Sequence, residues 1–154
     1  MAIAYLIVAD KSPEFDRSLR YAALAARSSK ADILILHVLP EPDLQLWSGV
    51  EDRIMQEQDN EAKELLSSIQ DSIRDIADVK SDFVIERGGK TDAVLKTLAA
   101  RSEITKLIVT TNVQGGGKGV VLSYFTGAGI DKLSVPLTMV PGHVPIEDID
   151  KLVV

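Results

Sequence analysis

Apolar residues along this chain recur in two rhythms. Ile3 to Ala9, Ile33 to Val38 and Lys106 to Thr111 are short, nearly continuous apolar runs, the pattern of strands buried on both faces. Ser81 to Glu86 alternates, which predicts a half-exposed strand. Leu137 to Val140 follows Pro136, and a proline there is best tolerated at a sheet edge. Between these runs the spacing turns helical. Phe15, Leu19, Ala22 and Ala26 predict a helix ending at Ser28, with Ser12 as N-cap and Pro13 at its first position. Pro40 and Pro42 close the second strand, and a loop runs through Trp47. Ser48 and Glu51 have capping-box spacing, and Ala62, Leu65, Leu66, Ile69, Ile73 and Ile76 mark one face of a long amphipathic helix. Gly88-Gly89 leads into a helix from about Asp92 to Ala100. After the fourth strand comes Gly115-Gly116-Gly117-Lys118-Gly119, then a helix from about Val120 to Lys132.

Strands alternating with helices over short connections imply right-handed crossovers and a parallel sheet. The predicted class is α/β: one Rossmann-like domain, five strands in the order 3-2-1-4-5, helices on both faces. Such a sheet binds ligands beyond the carboxyl ends of its strands, at the switch point between strands 1 and 4. Asp10 and the glycine-rich loop after Thr111 fall there.

Composition narrows the function classes. At 154 residues, 45% hydrophobic and 26% charged, the chain fits one folded domain, assigned to residues 1–141, with 142–154 as a tail suited to a short docking helix. Its net charge of −6 disfavours nucleic acid and anionic membrane surfaces as partners. Without Cys there is no disulfide, thiolate metal site or cysteine nucleophile. The apolar start lacks the basic flank of a secretory signal and is too short to span a bilayer, so a cytoplasmic protein is expected.

Leu6-Ile7-Val8-Ala9-Asp10-Lys11-Ser12-Pro13-Glu14 resembles the first strand and Asp-x-Ser turn of universal stress proteins, a family with the adenine nucleotide alpha hydrolase-like fold. Leu19 to Ala25 is similar to that family's first helix, and Leu36-His37-Val38 to the end of its second strand. The resemblance covers about residues 3 to 141 and implies a homodimer joined through its last strand. ATP-binding members carry G-x-x-G, nine residues, then G-[S/T] after strand 4. Gly116 and Gly119 match the first pair; nine residues on, Gly129 is followed by Ile130 rather than Ser or Thr. Counting back from Pro136 instead brings Ser123 to the hydroxyl position and loses the glycine before it, and this register is preferred. The resemblance then implies a site for ATP, with Mg²⁺: Ala9 and Asp10 at adenine or ribose, the Val38 backbone at the adenine edge, and Gly115, Gly116, Gly117, Gly119 and Ser123 toward ribose and phosphates. Glycines permit close approach of backbone N–H groups to an anion, and Lys118 adds charge.

Plainer readings stand beside these. Asp10 at a strand end also suits a helix cap, and a glycine run also suits a surface loop. A dimeric interaction module that has lost nucleotide binding is the alternative function. Gly89-Lys90-Thr91 lacks the earlier glycine of a Walker A loop, since Val84 stands there. His37 and His143 have no second metal ligand at helix or hairpin spacing, and His37 reads as a packed or surface-facing strand residue. No G-x-S-x-G occurs, and no catalytic constellation emerges; any ATP hydrolysis would be slow.

Overall fold

The computed structural model describes residues 2–42, 48–111 and 119–153. In chain order they form β1 (Ala4–Val8), α1 (Phe15–Ser29), β2 (Asp32–Leu39), α2 (Ser48–Ala77), β3 (Ser81–Arg87), α3 (Lys90–Ala100), β4 (Ile104–Thr110), α4 (Val120–Phe125) and β5 (Leu137–Val140), with 3-10 turns at Ile130–Lys132 and Ile146–Leu152. The strands lie in the order β3-β2-β1-β4-β5, as the alternation of strands and helices predicts. Every pairing is parallel.

Two apolar layers sandwich the sheet, and β2 shows how the sequence makes both. Successive side chains of a strand point to opposite faces. Ile33 and Ile35 therefore join one cluster with residues of α1 and α2, while Leu34 and Leu36 join a second with residues of α3 and α4. Ile35 and Leu36 are fully buried, so β2 needs a continuous apolar run. β3 is an edge strand whose residues are mostly half-buried, which accounts for its alternation.

Two helices depart from expectation. The first begins at Phe15 rather than Pro13, with Glu14 in the N-cap position and no side-chain cap. The reason is local: the Ser12 hydroxyl donates to Asp10 instead of capping, and the Phe15 N–H donates to the Ser12 carbonyl in a preceding turn. The last helix stops at Phe125, well short of Lys132. The turn that follows is held on the Tyr124 carbonyl, which accepts from the N–H groups of both Gly127 and Gly129, and the Gly129 Cα lies so close to the Tyr124 ring that an added Cβ would come within 2.1 Å of it.

The tail crosses back over α1. Ile149 is fully buried in the α1/α2 cluster, with Val144 and Val153 packed at its edge. The Arg20 guanidinium donates to both Asp150 carboxylate oxygens at 2.5 and 2.9 Å, and Arg17 Nε donates to the Val144 carbonyl at 3.0 Å. The bidentate partner lowers the Asp150 pKa and raises that of Arg20.

Candidate functional site

The carboxyl end of β1 sets the geometry. Past Val8 the chain still follows β2, since the buried Ala9 donates its N–H to the Leu36 carbonyl at 2.8 Å. Asp10 then turns outward and is exposed. One carboxylate oxygen accepts from the Ser12 N–H at 3.0 Å and the other from the Ser12 hydroxyl at 3.1 Å. This is the local Asx-type turn that Asp forms readily, and each oxygen keeps a lone pair for a further donor.

Strand alternation separates the next two residues of interest. Val38 is half-buried against the α3/α4 cluster and pairs in register with Glu86 of β3. His37, one residue earlier, points to the α2 side. The nine residues 111–119 connect β4 to α4; Gly115, Gly116 and Gly117 lie outside the described residues. Gly119 occupies the N-cap position of α4, extended and with no described atom near where a Cβ would stand. Ser123 is exposed one turn further on, its N–H donating to the Gly119 carbonyl at 3.0 Å. That turn carries it about 6 Å along the helix axis from Gly119. The residue that opens the helix is Val120, 64% exposed. Gly129 lies beyond the other end of α4, packed on Tyr124, so the nine-residue spacing to Gly129 spans the helix rather than the strand-to-helix loop.

Sequence reasoning missed the pocket beside this edge. Lys11, His37, Leu39, Gln58, Glu61 and Leu65 are among the residues around a cavity of about 190 Å³ between the ends of β1 and β2 and the middle of α2. His37 is only 9% exposed and its Nδ1 is enclosed without a hydrogen-bond partner among the described residues. Burial lowers its pKa first, and the ammonium groups of Lys11 and Lys90 lower it further. Both effects favour the neutral ring. The available signal was an ionisable side chain inside the apolar run from Ile33 to Leu39, at the parity of Ile33 and Ile35. Glu14 is a second buried group, with Oε2 unpartnered; its methylenes lie under Gly142, whose N–H donates to Thr111 Oγ1. Nothing in the sequence marked it.

The base of the site is clamped from β3. Arg87 donates to Gln58 Oε1, Asp59 Oδ1 and the carbonyls of Met55 and Pro40. The clamp ties the amino-terminal half of α2 to the end of β2. Among the described residues no three His, Asp or Glu side chains converge to hold a metal ion, and no helix is long and apolar enough to cross a membrane.

The model of the universal stress protein family matches residues 5–141. No curated protein matches the sequence. Among solved structures, the universal stress protein UspA from Lactobacillus plantarum superposes with a TM-score of 0.75 at 14% identity, covering 90% of this chain and 97% of that one. A universal stress protein from Archaeoglobus fulgidus in complex with dAMP gives 0.63 at 21%, covering 91% and 98%. A universal stress protein in complex with cAMP gives 0.64 at 14%, covering 92% and 98%. At these identities the likeness establishes the fold.

Proposed function

The chain belongs to the universal stress protein family, and we propose that it is a cytoplasmic, homodimeric regulatory protein that binds an adenine nucleotide, ATP with Mg²⁺, at the carboxyl ends of β1 and β4. The observation that carries this reading is Asp10, exposed and pre-oriented at the end of β1 beside the strand that leads to Gly119. Similar folds hold dAMP and cAMP. Asp10 would fix ribose or base, the Val38 backbone the base edge, and the glycine loop with Gly119 and Ser123 the phosphates. Mg²⁺ would arrive with the triphosphate, as this ion usually does. The free edge of β5, where Met139 is 54% exposed, supports pairing with a second copy. Net charge of −6 supports the absence of a nucleic-acid partner.

One observation favours the alternative, a dimeric interaction module without nucleotide. Val120 presents an isopropyl group where α4 opens, and the helix itself is only one and a half turns long. Light scattering of the purified protein with and without ATP, alongside an equilibrium ATP titration, separates the two. Saturable ATP binding by a two-chain particle supports the proposal; a two-chain particle indifferent to millimolar ATP supports the module; a single-chain mass removes the dimer from both.

A further inference from the structure

The pocket at His37 lies on the α2 side of β2, whereas Val38 and α4 lie on the other, and the nucleotide reading makes no use of it. The pocket is partly open to solvent, and its size indicates the scale of the group it would enclose. An apolar cavity of about 150 Å³ takes one benzene ring, so a pocket of about 190 Å³ suits a molecule of about eight or nine non-hydrogen atoms. A whole nucleotide would extend well beyond it. Its charges set the chemistry. Lys11, on the β1–α1 connection, and Glu61, on α2, both line the pocket and are solvent-exposed, and they form no ion pair with each other or with any described residue. Leu39, Ala62 and Leu65 supply apolar wall between them.

We propose that this pocket is a separate binding site for a small zwitterion of the α-amino-acid class with an aliphatic side chain, its carboxylate on Lys11, its ammonium on Glu61 and its side chain against Leu39 and Leu65. A simple anion would leave Glu61 facing it, and a simple cation would leave Lys11; a zwitterion satisfies both. His37 is a buried hydrogen-bonding group in the wall, and burial and the two lysines favour its neutral form. The amide NH₂ of Gln58 supplies a further donor, since its Oε1 is already engaged by Arg87.

The test is NMR of the full chain, following the His37 imidazole nitrogens and assigning them against His143→Gln, because the sequence has two histidines. The probes are L-leucine, 4-methylpentanoate, which lacks the ammonium, and 3-methylbutylamine, which lacks the carboxylate. Saturable shifts at His37 with leucine, and affinity lower by about tenfold or more for each analogue, are expected. Glu61→Gln should then bring leucine down to the level of the carboxylate analogue, and Lys11→Met down to that of the amine. Amide spectra confirm that both variants are folded. No saturation with folded protein, equal affinity for the three probes, or displacement of leucine by ATP would overturn the proposal. ATP titrated onto the same sample without leucine reads the nucleotide site separately, so either proposal can fail alone.

Discussion

Ser12 holds Asp10 by both carboxylate oxygens, through its N–H at 3.0 Å and its hydroxyl at 3.1 Å. The two residues are exposed or nearly so, so the contact does little for stability and its consequence is orientation. Ser12→Ala keeps the N–H bond and frees one oxygen. We predict weaker ATP binding by a factor of about 3 to 10, as for the loss of one hydrogen bond of about 1 kcal/mol, with the thermal midpoint of the free protein unchanged.

His37 makes the fold sensitive to acid. Its folded pKa is lowered, mainly by burial and then by Lys11 and Lys90, so the unfolded chain binds the proton more readily and stability rises with pH. The charged groups given by the pocket and its field are Lys11, Lys90 and Glu61. As pH falls below the ordinary histidine value of about 6.5, stability is lost until the folded value is passed, and the loss then levels off. Denaturant midpoints across this range should fall less for His37→Gln than for the parent; parallel curves would contradict the assignment.

Ile149 makes the tail part of the core. Fully buried among α1 and α2 residues, it should cost about 2–5 kcal/mol when truncated to alanine, measured by chemical denaturation. Asp150→Asn removes an exposed ion pair with Arg20 and should leave the midpoint nearly unchanged at physiological salt.

Arg87 is the clamp on α2. Replacing it with Met keeps the apolar stem but removes its bonds to Gln58, Asp59 and the Met55 and Pro40 carbonyls. Hydrogen exchange should accelerate over about residues 50 to 60, in the amino-terminal half of α2, and stay slow around the buried Leu66, Ile69 and Ile73. Uniform acceleration along the helix would mean that the clamp is not local.

The fold was legible because β2 and α2 follow rules that tertiary contacts reinforce: Ile33 to Leu36 must be apolar on both faces, and Leu66, Ile69 and Ile73 must share one. The helix ends were harder. Nothing in the sequence shows that the Ser12 hydroxyl turns back to Asp10, or that Gly129 packs on the Tyr124 ring; both depend on where a backbone already lies. Gly129→Ala, which drives a Cβ into that ring, should destabilise by about 1–3 kcal/mol. For the site, Asp10 and Gly119 were visible as a strand end and a glycine before a helix. Lys11, His37 and Glu61 were not, because their convergence requires the crossover that lays α2 over β2. Gly115, Gly116 and Gly117 fall outside the described residues.

Calorimetric titration of Mg·ATP into nucleotide-free protein and into Asp10→Ala tests the central claim most directly. Gly119→Val is the companion variant, since no described atom crowds that position, and its amide spectrum checks that it is folded. The account predicts saturable binding by the parent, weakened in both variants by at least about tenfold, or more than about 1.4 kcal/mol. Equal binding by parent and Asp10→Ala, or no heat at millimolar ATP from the folded parent, would contradict it.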